Sequence, residues 1–136
     1  AMEMHKFCED NGINNVYFHG EYAPVERFSF AAETDLVDNI YNNDIVVQNA
    51  IGNKYYDAMA MYIPQICLGG SYMGKLVSEN GIGVCVRFDS GLADQIYDYY
   101  QRIDWSKFEH SCDCELNKAM QQNAENKRAV SEFFSR

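Results

Sequence analysis

The chain has 136 residues, 47% of them hydrophobic, with 11 basic against 20 acidic side chains and a formal net charge of −9. That length and apolar share suit one folded domain with one core. The acidic balance disfavours nucleic acid and anionic membrane surfaces as partners, because phosphate backbones need a basic footprint; a single phosphate-bearing ligand stays open, since a few backbone N–H groups and one lysine can hold it.

Residues 3–10 read as a helix end closed by Asn11-Gly12. "NVYFHG" (15–20) reads as a strand and "GEYAP" as a loop, followed by a helix over 25–33 and a strand over 35–41. "NNDIVVQNAIGN" reads as a loop with one helical turn. Over 53–62, Tyr55, Ala58, Met59 and Tyr62 follow helical spacing, and Pro64 stops the run. "PQICL" (64–68) is a short buried strand, 71–79 a helix closed by Asn80-Gly81, "GVCVRF" (83–88) a strand, and 90–101 a helix. From Trp105 to the end the pattern is helical, in two pieces.

Helices alternating with short apolar strands predict an α/β fold. The expectation is a Rossmann-like parallel sheet of about four strands, with helices on both faces. A doubly wound half begins with strand, glycine turn and helix, and that first unit is missing here. Ala1 ahead of Met2 reads as an added residue, and the segment is expected to be a piece of something longer. No signal peptide opens it, and no apolar run approaches the ~20 residues of a membrane span.

The five cysteines, Cys8, Cys67, Cys85, Cys112 and Cys114, are odd in number, and two lie in apolar strand runs. They read as reduced thiols in the cytoplasm. His110 with Cys112 and Cys114 lacks the second ligand pair that a zinc site needs, so no metal is expected.

Two glycine turns lead into helices: Gly52-Asn53 and Gly69-Gly70-Ser71. Unpaired N–H groups make such entrances favourable for anions, and in an open parallel sheet both lie where ligands bind. Asp57 suits a helix entrance with no ligand at all, through the dipole; it also suits hydrogen bonds from a ribose diol. Lys54 is either a phosphate contact or solvated surface. Tyr97, Tyr99, Tyr100 and Trp105 are either a stacking platform or core, and His19 lines a cleft or packs at the surface. Phe133 and Phe134 form an exposed patch or a fraying end.

The stretch Asn49-Ala50-Ile51-Gly52-Asn53-Lys54-Tyr55-Tyr56-Asp57-Ala58-Met59-Ala60, followed by Tyr62-Ile63-Pro64-Gln65-Ile66, resembles a motif of GT-B glycosyltransferases. Its common form is E-G-F-G-x-x-x-x-E-A-M-A followed by G-x-P-V-I, within an E-x7-E pattern. Gly52 stands at the motif glycine, Asp57 at the second acid and Asn49 at the first. "NNVYFHGEY", "TDLVDNIYNND", "GKLVSENGIGVCV" and "LADQIYDYYQRI" resemble the flanking family segments in order and spacing, so the likeness spans residues 5–105. The nearest subset is the polysaccharide type, with an x-N-K-x-Y-E/D-A form.

The resemblance implies the C-terminal, nucleotide-sugar-binding domain of such an enzyme, residues 1–136 as one partial domain with a C-terminal helical segment over 105–136. Asp57 would hold the ribose, and Ile51, Gly52, Asn53 and Lys54 would flank the diphosphate. Asn49 would touch the donor sugar, and the base would lie near Gly20, Glu21 and Tyr22. The partners implied are a nucleotide sugar and a missing N-terminal acceptor-binding domain, with no further cofactor. The location implied is the cytoplasm, with the whole enzyme peripheral to the inner membrane face, in surface polysaccharide biosynthesis. Three departures stand out. Asn49 carries no charge, Asp57 is one methylene shorter than glutamate, and the upstream Arg/Lys pair that binds diphosphate has no counterpart. The alternatives are a nucleotide-sugar epimerase of the same architecture and a stand-alone α/β binding or signalling module of receiver type, although Asp38 and Asp44 do not supply the order of acids that a receiver needs.

Overall fold

The computed structural model describes residues 2–41, 45 and 49–135. The chain divides into two compact units, Ala1–Glu33 and Thr34–Arg136.

In the first unit, α1 (Met2–Asp10) is followed by an irregular stretch, then a 3-10 turn (Pro24–Glu26) that runs into α2 (Arg27–Ala32). The expected Asn11-Gly12 closure of α1 is present. Gly12 takes the left-handed conformation with φ 66°. Its N–H bonds the Glu9 carbonyl at 3.2 Å, and the Ile13 N–H bonds the Cys8 carbonyl at 2.9 Å. These are the two bonds of a Schellman cap, which satisfies the last carbonyls of the helix.

The strand expected at 15–20 does not form. A strand requires a neighbouring ladder, and none forms on these residues. Side chains organise the stretch instead: the Phe18 ring stacks on His5 at 4.5 Å, and His19 lies 5.0 Å from Phe30. His19 thus has an aromatic packing partner.

The second unit is α/β. Its elements are β1 (Val37–Asn39), α3 (Asn53–Ala60), β2 (Gln65–Leu68), α4 (Tyr72–Asn80), β3 (Gly83–Val86), α5 (Leu92–Gln101) and α6 (Trp105–Phe134). The three strands form one parallel sheet in the order β1-β2-β3, with Val37 opposite Gln65 and Gln65 opposite Gly83. This arrangement is compatible with a Rossmann-like fold, with three described strands where about four were expected. The loop expected between β1 and α3 lies largely outside the described residues, as does Asp44.

Sequential strand order with right-handed crossovers places α3 and α4 on the same face of the sheet. Tyr55 and Met59 of α3, Met73 and Val77 of α4, Cys67 of β2, and Phe108 and Cys112 of α6 form one buried cluster there, joined by Ile82 ahead of β3. Strand alternation sends Ile66 and Val86 to the other face, where both are also buried. Helix α5 packs along β3, and its Tyr100 hydroxyl donates to Asp35, ahead of β1, at 2.9 Å. The Tyr100, Trp105 and Phe108 rings meet edge to face at 6.3 and 5.9 Å. This row leads into the core, so these aromatics pack the fold.

Helix α3 stops at Ala60, two residues before the expected end, by the same capping geometry as α1. The Tyr62 N–H bonds Met59 at 3.2 Å, and the Ile63 N–H bonds Ala58 at 2.8 Å. Here the left-handed position is taken by Tyr62, φ 55°, where glycine is usual. Its hydroxyl donates to Asp113 on α6 at 2.5 Å, which ties the cap to the longest helix.

Residues 105–134 form one continuous helix of 30 residues, not two. It is about 45 Å long at 1.5 Å per residue. The run contains neither glycine nor proline, and Asp104 caps it by accepting the Lys107 N–H at 3.2 Å. From Met120 to Ser135 every side chain is exposed, Phe133 and Phe134 included.

Candidate functional site at the carboxyl edge of the sheet

Two helix entrances follow the carboxyl ends of adjacent strands. After β2, the chain turns through Gly69 and Gly70 into α4, capped by Ser71. The Ser71 hydroxyl donates to the Leu68 carbonyl at 2.7 Å and accepts the Gly74 N–H at 2.9 Å. It therefore closes the turn onto the strand and satisfies one of the unpaired helix donors. Gly74 is required beneath it: a Cβ there would lie 2.5 Å from the Leu68 carbonyl oxygen and 3.0 Å from Cys85 Sγ. The close approach brings α4 onto the sheet and lets the Cys85 thiol donate to the Gly74 carbonyl at 2.7 Å.

An open cleft of about 560 Å³ lies at this entrance, lined by Asn49, Gly69, Gly70, Tyr72, Lys75 and Cys85 among others. Asn49 was expected to face a donor sugar, and it lines this cleft. Its amide also donates to the Ile45 carbonyl at 2.7 Å, which orients it. Burial pushes the Cys85 thiol above its ordinary range, so it stays a neutral thiol at physiological pH.

The other entrance belongs to α3. Gly52 is its N-cap, in extended conformation, and Asn53 and Lys54 begin the helix. Asp57 is the fifth residue of α3, in the second turn, and the first turn holds no acid. This corrects the dipole reading, since the dipole's effect falls off within the first turn. Asp57 is half-buried although it lies away from the core-facing residues Tyr55, Ala58 and Met59. Asn53 and Lys54 share its side of the helix at i−4 and i−3.

Lys54 is directed toward β1. Its ammonium donates to the Asp38 carbonyl at 3.4 Å and lies 6.0 Å from the centre of the Tyr41 ring. The Ile51 side chain packs against the core and lines a smaller cavity of about 190 Å³ with Tyr55, Met59, Tyr72 and Leu76, so only its backbone can face an anion.

Of the residues expected in the site, Asn49 alone is among those lining the larger cleft, while Gly52, Asn53, Lys54 and Asp57 gather on α3. Gly20, Glu21 and Tyr22 belong to the first unit and are exposed, with the Tyr22 ring edge-on to Phe30 at 5.4 Å. The cleft also holds residues that sequence reasoning passed over: Tyr72, Lys75, Ser78, Glu79 and Cys85. Lys75 carried one signal, its position a helical turn beyond the Ser71 cap. Among the described residues, no three His, Cys, Asp or Glu side chains gather as a metal would need, and no helix is long and apolar enough to cross a membrane.

No protein-family model, curated protein or solved structure matches this chain.

Proposed function

We propose that this chain is the donor-binding half of a glycosyltransferase of GT-B architecture, which moves a sugar from a nucleotide diphosphate sugar to an acceptor hydroxyl in surface polysaccharide biosynthesis. The observation that carries the reading is the open cleft at the carboxyl edge of the parallel sheet, where Asn49 meets the Gly69-Gly70-Ser71 turn. Open α/β sheets bind ligands at this edge. Asp57 stands half-buried on α3, on the same side of the helix as Asn53 and Lys54 at its entrance.

In this reading, backbone N–H groups of the helix entrances and a lysine neutralise the departing diphosphate. The Asp57 carboxylate accepts hydrogen bonds from the ribose diol. Asn49 donates to a sugar hydroxyl, and its neutral amide leaves charge stabilisation at the anomeric carbon to other groups. Acceptor recognition belongs to a second domain, and the two together supply positioning.

Calorimetric titration of the chain with UDP, GDP and ADP tests the reading. One of the three should bind, and Asp57→Ala should weaken it by about tenfold, the value of a charge-assisted hydrogen bond. No binding of any of the three, or an unchanged affinity in Asp57→Ala, refutes it.

A further inference from the structure

We propose that Lys75, not Lys54, is the side chain that holds the diphosphate of the donor, with Glu79 setting how strongly it does so. This rests on the donor-binding reading above and identifies the cation within that site.

Among the described residues, Lys75 is the one cation lining the larger cleft, where it stands with Asn49, Gly69 and Gly70. Its backbone N–H bonds the Ser71 carbonyl at 3.0 Å, so it rises one helical turn beyond the cap and on the same side. Lys54 instead reaches back to the Asp38 carbonyl and the Tyr41 ring. The Ser71 hydroxyl is already committed as donor to Leu68 and acceptor from Gly74. Charge recognition at this entrance therefore falls to Lys75.

Among the described residues, the Lys75 ammonium pairs with the Glu79 carboxylate at 3.9 Å, with both side chains more than half exposed. Such a pair is loose and contributes little, so a phosphate oxygen can displace it. Glu79 also lines the cleft. It balances Lys75 when the cleft is empty and opposes an incoming dianion, which makes affinity depend on both members of the pair.

The experiment compares wild type with Lys75→Gln, Lys75→Arg, Lys54→Gln and Glu79→Gln, titrated with UDP, GDP and ADP at low salt. All three positions are exposed, and thermal unfolding confirms that each of the four variants is folded. Lys75→Gln should weaken the bound diphosphate by about tenfold or more, and Lys75→Arg should restore most of that loss. Lys54→Gln should change affinity by less than about threefold, and Glu79→Gln should tighten it, as expected when a like charge is removed. If Lys75→Gln binds like wild type, or Lys54→Gln carries the loss, the assignment of Lys75 fails and the donor-binding reading stands. If wild type binds none of the three, both fail together.

Discussion

The buried amide pair between β1 and β2 allows a sharp test of how this sheet is held. Gln65 is fully buried and Asn39 is 2% exposed. Gln65 Nε2 donates to the Tyr55 carbonyl at 3.0 Å, which orients its amide, and Gln65 Oε1 then accepts from Asn39 Nδ2 at 2.8 Å. Among the described residues, no donor reaches Asn39 Oδ1. Gln65→Leu removes both bonds and leaves both ends of the Asn39 amide buried without partners. At about 1–3 kcal/mol for a newly orphaned donor, plus about 1 kcal/mol for the lost bond to Tyr55, the cost is about 2–4 kcal/mol. Asn39→Leu only exchanges one orphan for another, Oδ1 for Gln65 Oε1, and should fall within about 1 kcal/mol of wild type. The double variant leaves no unpaired side-chain amide and should be more stable than Gln65→Leu alone, so the two changes couple by about 2 kcal/mol. Urea unfolding followed by Trp105 fluorescence and circular dichroism measures all four corners of the cycle. A Gln65→Leu cost no larger than that of Asn39→Leu, or strictly additive costs, refutes the reasoning.

Two further outcomes follow from packing and burial. Gly74→Ala places a Cβ 2.5 Å from the backbone oxygen of Leu68, which cannot yield without moving the turn; a loss of about 1–3 kcal/mol is expected, together with weaker nucleotide binding at the cleft it supports. A change in neither thermal midpoint nor affinity would contradict that account. Burial pushes the Cys67 thiol up to about 12 and the Cys112 thiol up to about 11, from an ordinary value of 9.0, and pushes the Tyr99 hydroxyl up to about 12. Between the ordinary and the raised values the unfolded chain releases protons that the folded chain retains, so stability is intact below about pH 9 and falls as pH rises above it. Denaturant midpoints measured from pH 7 to 11 should decline above that point. The decline should be delayed in the Cys67→Ala/Cys112→Ala variant, and an unchanged pH profile in that variant would refute the assignment.

The legible parts of this fold are those governed by local rules. Asn11-Gly12 and Asn80-Gly81 announced their helix ends, because glycine takes the left-handed position at little cost; Gly12 and Gly81 adopt it with φ 66° and 69°. The spacing of Tyr55, Ala58 and Met59 marked the buried face of α3, and the apolar runs marked β2 and β3. The end of α3 was less legible, because Tyr62 does glycine's work and its tie to Asp113 on α6 joins residues 51 positions apart. "NVYFHG" has strand composition, but a strand exists only where another completes its ladder.

The candidate site divides in the same way. The two glycine-led entrances were readable, since each depends on a turn and a short spacing. Sequence alone also determined the alternation of helix and strand that makes the second unit α/β, because periodicity and capping act over a few residues. Only the tertiary structure decided that Lys75 and not Lys54 lines the cleft with Asn49, and that Gln65 joins α3 to β1. Those facts depend on which way a helix face turns against the sheet, and that is set by burying Met59, Cys67, Met73 and Val77 together.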